Sequence, residues 1–458
     1  MKVHVITLGC PKNAVDSEGM TGILQAQGHQ LVVDAESADV VIVNTCSFIA
    51  SARQETLEVL GDMGGRKHAG QKLIAAGCMA ESHSDEVKAV VGVDAILGTR
   101  EWMRIGELIG EAAPAPAAKK INAPLIDLVA ADPTAVDLAV PGEYADWRTS
   151  AIQRSQSGPS AYLKISDGCN LRCAFCTIPS FKGDMRSKRP VGILAEAKQL
   201  VARGVKEIVL VAQHLTDYGR DLKVTDGLAD LLEQLCEVVP TDRWIRLMYA
   251  YPHGINDRLI ATMAKHPQVL PYLDMPLQHA HPDMLKRMRR PPDIERTKEI
   301  IRNLRAAMPD IAIRSTFIVG FPGETKAEFE ALCAFLEEMK LDRVGVFRYS
   351  DEPGTHAATL PDKVPAKQIE RRWHTVMQLQ QAVSQAKNRS WRGRTIDMLV
   401  EGVGSDDSGQ PLLVGRSFRD APEVDGQVFA WGKGEIGTIR RVKVTQTTEY
   451  DLWGNVTK

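Results

Sequence analysis

No run of about 18 apolar residues occurs anywhere in this 458-residue sequence. That removes a membrane-spanning helix, and with it a membrane partner, from the expected roles. An excess of either charge is also missing. The 56 Lys and Arg nearly balance 58 Asp and Glu, leaving a net charge of -2, so no overall field draws the chain toward nucleic acid. No basic, apolar leader precedes Val3-His4-Val5-Ile6-Thr7-Leu8, which already reads as a strand, and the expectation is a cytoplasmic protein. What remains, 44% hydrophobic and 25% charged residues, is ordinary for a globular chain. By length alone about three domains are expected.

Cysteine is the residue that stands out. Eight of them in a cytoplasmic chain point to metal or redox chemistry before disulfides. Cys169, Cys173 and Cys176 fall within Gly168-Cys169-Asn170-Leu171-Arg172-Cys173-Ala174-Phe175-Cys176, with no histidine among them. A structural zinc site would want a fourth Cys or His at paired spacing. Three thiolates can instead hold three irons of a [4Fe–4S] cube, which needs four cysteines to be closed. The open iron can take a small chelating ligand, and S-adenosylmethionine offers an amino nitrogen and a carboxylate. Cys236 and Cys333 lie in apolar segments of helical period and read as core fillers.

Residues 1–112 alternate short apolar runs (Val3 to Leu8, Val40 to Val43, Leu73 to Ala76, Ala95 to Leu97) with helical segments (Asp16 to Gln27, Ser51 to Gly61). This is the pattern of a parallel α/β sheet. Cys10, Cys46 and Cys78 each follow the carboxyl end of an expected strand, the edge where open α/β sheets bind ligands. They read either as a second three-thiolate cluster site or as three small core residues.

Residues 113–158 carry Ala113-Pro114-Ala115-Pro116-Ala117-Ala118, Pro133, Pro141 and Gly142 and read as a linker. From 159 to 380 six strands are expected, at Tyr162 to Ser166, Glu207 to Ala212, Trp244 to Tyr249, Tyr272 to Pro276, Ile313 to Gly320 and Arg343 to Arg348. With helices between them they suggest a partial (β/α) barrel whose carboxyl-end loops host chemistry. The cysteine loop follows the first of these strands. Gly320-Phe321-Pro322-Gly323-Glu324 follows the fifth and would let backbone approach a cofactor closely. Of the basic groups, Lys182, Arg186, Lys188 and Arg189 follow the cysteine loop, and Arg186 is a candidate anion contact. Lys286-Arg287-Met288-Arg289-Arg290 reads as a solvated face. A long helix, about Pro365 to Trp391, leads to β-rich runs at Arg394 to Val403, Leu412 to Arg416, Gln427 to Trp431 and Glu435 to Thr445. Residues 381–458 should form a small antiparallel β-barrel.

The cysteine loop, with Phe175 before its last thiol, resembles the radical S-adenosylmethionine superfamily signature. The order of parts resembles the methylthiotransferases: an N-terminal domain with three dispersed cysteines, a radical S-adenosylmethionine core and a C-terminal TRAM-like barrel. Finer stretches are similar to the RimO branch of that family: Leu8-Gly9-Cys10-Pro11-Lys12-Asn13 with Val15-Asp16-Ser17-Glu18, Ser166-Asp167-Gly168-Cys169-Asn170, Ile178-Pro179-Ser180-Phe181-Lys182-Gly183, and Asp420-Ala421-Pro422-Glu423-Val424-Asp425-Gly426. One departure is His214-Leu215-Thr216 after Val211-Ala212-Gln213, where the branch has Asp-Thr-Thr.

The resemblance implies a transferase that places a methylthio group on the β-carbon of one aspartate in small-subunit ribosomal protein S-twelve. It implies two [4Fe–4S] clusters, one on Cys169, Cys173 and Cys176 that generates a radical from S-adenosylmethionine, the other on Cys10, Cys46 and Cys78 that carries sulfur. Phe175, Arg186, Gly320, Gly323 and Glu324 are the implied cofactor contacts, and an electron donor such as flavodoxin is the implied partner. No side chain is expected to act as acid or base. From residue 393 onward eight Lys or Arg face ten Asp or Glu, and an acidic barrel suits a basic ribosomal protein better than tRNA. The alternatives are a tRNA adenosine methylthiotransferase of the MiaB type and, from another class, a non-catalytic iron–sulfur redox sensor or ribosome-binding protein.

Overall fold

A computed structural model describes residues 1–110, 147–152, 154 and 158–457. Most of the expected linker, including Ala113 to Ala118, Pro133, Pro141 and Gly142, lies outside the described residues. The chain divides into two compact units, Met1–Gln156 with Ile178–Glu196, and Ser157–Thr177 with Ala197–Lys458. Among the described residues no helix is long and apolar enough to cross a membrane.

The first unit holds a five-stranded sheet in the order Gln30–Leu31, Lys2–Thr7, Val40–Thr45, Lys72–Gly77, Ala95–Gly98. Every pair in it is parallel. All six residues of the strand Val40–Thr45 are buried, as a strand covered on both faces requires. The first helix, Pro11–Ala26, begins right after Cys10, five residues earlier than the apolar pattern suggested. Proline explains this: it has no N–H to leave unsatisfied in the first turn and its φ is already helical. The two-residue edge strand Gln30–Leu31 is too short to carry a legible pattern.

The second unit contains all six expected strands in sequential order, Ser160–Lys164, Glu207–Val211, Trp244–Leu247, Val269–Asp274, Ala312–Val319 and Arg343–Arg348. They are parallel throughout, and the order stays open at both ends, as a partial (β/α) barrel does. After the helix Ala366–Arg389 the chain closes a five-stranded barrel, Thr395–Ser405, Pro411–Ser417, Val428–Trp431, Leu452–Val456 and Ile439–Thr447. The strand Leu452–Val456 was not anticipated. It fills the gap beside Val428–Trp431 and pairs with it in parallel, the one departure from an antiparallel barrel.

The stretch Asp420–Gly426 joins this barrel to the six-stranded sheet. Asp420 accepts from Arg343 (2.6 Å), and Asp425 accepts from the Tyr272 hydroxyl (2.6 Å) while facing Arg314 (3.4 Å). A second joint is built on Glu207, buried between Arg246 (2.6 Å) and Arg416 (2.5 Å).

Candidate iron–sulfur and cofactor sites

Cys10, Cys46 and Cys78 lie at the carboxyl ends of three adjacent parallel strands. The backbone there is built for close approach. Gly9 has φ +89°, and a Cβ on it would stand 2.7 Å from both Cβ and Sγ of Cys46. Gly77 has φ +96°, and its Cβ would meet the Asn44 side chain at 2.2 Å. Only glycine fits at either position.

Asn13, one turn into the first helix, ties the three strand ends together. Its Nδ2 donates to the carbonyls of Leu8 (3.0 Å) and Thr45 (2.9 Å), and its Oδ1 accepts from the Cys78 thiol (3.5 Å). Asn44 returns the bond by donating to the Asn13 carbonyl (2.9 Å). Sequence reasoning did not single out Asn13, although it stands in the quoted Cys10-Pro11-Lys12-Asn13 run.

The thiols are electrostatically crowded. Burial pushes Cys78 up to about 12, with Cys10 and Cys46 adding to the rise and Lys182 opposing it. Burial likewise raises Cys46. Without a metal the raised Cys46 and Cys78 thiols stay protonated at neutral pH, whereas a bound metal deprotonates its thiol ligands outright. Three crowded sulfurs, two of them buried and that of Cys10 partly exposed, with a buried cation beside them, are therefore a donor set that fits an iron–sulfur cluster. Lys182 is 4% exposed and lies 3.5 Å from Asp16. Lys188 is also buried and pairs with Glu196. The basic run after Cys176 is thus in large part interior, because its lysines find carboxylates that the local sequence does not reveal.

In the second unit the loop carrying Cys169, Cys173 and Cys176 is fixed at several points. Gln213 donates to Asp167 Oδ1 (2.8 Å), and Arg172 donates to the Cys169 carbonyl (2.9 Å). The Cys176 N–H bonds the Cys173 carbonyl (3.1 Å), a turn that keeps the last two thiols together. Ala174 donates to the Met288 carbonyl (2.9 Å) and accepts from Ala357 (2.7 Å). Burial raises the Cys169 thiol, and Cys173 adds to it. Cys236 and Cys333 belong to the helices Gly227–Val238 and Lys326–Met339, not to either loop.

Among the described residues no three His, Cys, Asp or Glu side chains converge tightly enough for a single metal ion. A cube is gripped differently: each thiolate takes its own iron, so the sulfurs stand farther apart than ligands sharing one ion.

The expected cofactor contacts fall in two places. Phe175 packs with Ala174, Met284, Met288, Ile318, Phe321 and Ala357, against the loop that holds Gly320 and Gly323. Gly320 (φ +80°) leaves no room for a Cβ, which would sit 2.4 Å from Ile369. Glu324 is 4% exposed and committed to its own loop: it accepts from Gly320 N–H (2.6 Å) and Arg372 (2.5 Å) and bonds His279 (3.1 Å). Its geometry supports the loop from behind. Arg186 belongs to the first unit and the other four to the second.

Two features escaped the sequence. Arg290, expected on a solvated face, is buried and donates to Cys173 Sγ (3.8 Å). His214, the departure from the branch pattern, stacks edge-on against Tyr251 at 4.9 Å. Burial lowers it to about 4, with Asp217 opposing and Arg290 assisting, so it is neutral at physiological pH.

Comparison with known proteins decides the family. Residues 163–336 match the radical SAM superfamily, which ties this segment to iron–sulfur and S-adenosylmethionine use, 2–98 an uncharacterized protein family, UPF0004, and 393–457 the TRAM domain. The chain is 67% identical to a ribosomal protein uS12 methylthiotransferase RimO of Roseiflexus sp., covering all of this chain and 97% of the relative. The chain belongs to the RimO family. Relatives of the same name reach far in sequence: one from Chloroflexus aurantiacus is 65% identical over 99% of both chains. Another, from Sorangium cellulosum, is 40% identical over 99% of this chain and 91% of its own. Among solved structures, the radical S-adenosylmethionine methyltransferase TsrM of Kitasatospora setae shares the fold. Its TM-score is 0.54 at 14% identity, with 78% of this chain and 73% of that one covered. In this RimO-family chain the matched regions coincide with the three-cysteine sheet, the six-stranded core and the five-stranded barrel.

Proposed function

We propose that the protein is a radical S-adenosylmethionine methylthiotransferase that modifies the β-carbon of an aspartate in ribosomal protein uS12 in the cytoplasm. The observation that carries the reading is the placement of three thiols at three neighbouring strand ends of the first unit, in a chain whose second unit has a three-cysteine loop of its own. A C–H bond next to a carboxylate is too weakly acidic for removal by a side-chain base, and this task needs a cofactor. When bound, a [4Fe–4S] cluster with S-adenosylmethionine supplies a radical able to take that hydrogen, and a second cluster supplies sulfur.

The chain's own residues bind and orient. Cys169, Cys173 and Cys176 would hold one cluster, Cys10, Cys46 and Cys78 the other. Asn13 locks the strand ends that present the second set, and Lys182 offsets their negative charge. Phe175, Gly320 and Gly323 would shape the S-adenosylmethionine cradle of the second unit, with Glu324 stiffening it; Arg186, in the first unit, is a separate candidate anion contact. The net acidic C-terminal barrel supports a basic protein substrate, and an electron donor such as flavodoxin would reduce the clusters.

The test is anaerobic incubation of the reduced, reconstituted protein with S-adenosylmethionine and either uS12 or tRNA. The expected result is a methylthio mass increment on an aspartate of uS12 alone. An increment on tRNA, or none on either, would contradict the proposal.

A further inference from the structure

The second unit buries a cation that makes no ion pair among the described residues. Arg290 is 8% exposed, and among the described residues no carboxylate forms an ion pair with it. A buried guanidinium without a counter-charge is costly, so the fold must supply an anion in the working protein. The contacts show where. Arg290 Nη1 donates to Cys173 Sγ at 3.8 Å, Nη2 donates to the Pro276 carbonyl, and the guanidinium lies over the Tyr251 ring, 4.2 Å from its centre.

The backbone aims it there. The helix Pro282–Arg287 ends with Arg289 in the left-handed region at φ +56°, an uncommon state for a residue with a Cβ. Arg290 N–H then closes on the Leu285 carbonyl (2.8 Å), the Schellman pattern. The same helix end accepts the Ala174 N–H at the Met288 carbonyl (2.9 Å). Cys173 is therefore held on both sides, by its neighbour's backbone and by a side chain reaching its sulfur.

We infer that Arg290 is a positioning residue for the cysteine loop, whose N–H···S bond to Cys173 provides the missing ion pair and raises the reduction potential of the cluster held there. Hydrogen bonds to cluster sulfurs favour the more electron-rich reduced state, and burial strengthens the effect of a fixed positive charge. Tyr251 and Pro276 fix the guanidinium plane, so the fork geometry matters as well as the charge. The inference rests on the proposed role of Cys169, Cys173 and Cys176 as cluster ligands.

The test uses the full chain carrying Cys10→Ala, Cys46→Ala and Cys78→Ala, reconstituted without oxygen so that one cluster remains. Its midpoint is measured by spectroscopic redox titration without S-adenosylmethionine. Arg290→Met should retain iron and shift the reduced-to-oxidised ratio at fixed poise at least tenfold toward oxidised, a lowering of about 59 mV for one electron. Arg290→Lys should fall between Arg290→Met and the parent. Tyr251→Leu, which frees the guanidinium but keeps it, should move the midpoint the same way by less, and it decides the matter if Arg290→Met fails to hold iron. An unchanged midpoint in Arg290→Met, or in Tyr251→Leu where that variant decides, overturns the inference, including the case in which Arg290 serves only S-adenosylmethionine binding. Absence of any cluster in the parent would instead overturn the ligand assignment itself.

Discussion

Replacing Glu207 by glutamine should loosen the joint between the C-terminal barrel and the six-stranded sheet. Glu207 is fully buried and accepts from Arg246 Nε (2.6 Å), Arg416 Nη2 (2.5 Å) and Ser160 Oγ (2.7 Å). Burial alone would raise its carboxyl, yet Arg246 and Arg416 outweigh burial and bring it down from 4.5 to about 2. A depression of that size corresponds to on the order of 3 kcal/mol of folding free energy by linkage. Breaking a buried ion pair by removing one partner costs about 3–5 kcal/mol, so two independent routes agree. Glutamine keeps the shape but turns an N–H₂ toward one guanidinium and leaves both arginines without their shared anion.

The assay is hydrogen exchange under increasing urea, read in peptides covering Pro411–Ser417 and Glu207–Val211, where opening should become easier by about 3 kcal/mol. Because the folded carboxyl is depressed, its contribution is present above about pH 4.5 and disappears as pH falls toward 2. The gap between parent and variant should therefore be constant near neutrality and close on acidification. A loss below about 1 kcal/mol, the worth of an exposed pair, would refute the reasoning.

Lys182→Met in a Cys173→Ala background should lower the iron retained through gel filtration, while Lys182→Arg retains it; equal retention in both would show that the buried charge is irrelevant to Cys10, Cys46 and Cys78. Glu324→Gln weakens the bonds to Gly320, Arg372 and His279, and should reduce S-adenosylmethionine affinity about tenfold, roughly 1.4 kcal/mol, with iron content unchanged. Equilibrium dialysis against the anaerobic protein measures this, and an unaltered Kd would detach Glu324 from the cradle.

Much of this architecture is written locally. Strand-length apolar runs ending in Gly9-Cys10, Thr45-Cys46 and Gly77-Cys78 disclose both the sheet and the edge that matters, because parallel strands bring their carboxyl ends together whatever the sequence distance. The loop from Cys169 to Cys176 is legible from ligand count alone. What the sequence hides depends on partners far along the chain. Lys182 and Lys188 look like surface charge until Asp16 and Glu196 are seen beside them. Arg290 looks solvated until Arg289, in a left-handed turn that no local rule demands of arginine, swings it onto Cys173. The strand Leu452–Val456 is likewise defined by the gap it fills, not by its own composition.

The central claim is that two separate three-thiolate sets each hold a cluster, and iron analysis of the anaerobically reconstituted chain tests it most directly. The account predicts about eight irons per chain, with Cys10→Ala and Cys173→Ala each losing about four and the spectroscopic signals lost being different. A Cys10→Ala chain that keeps the full complement would contradict it.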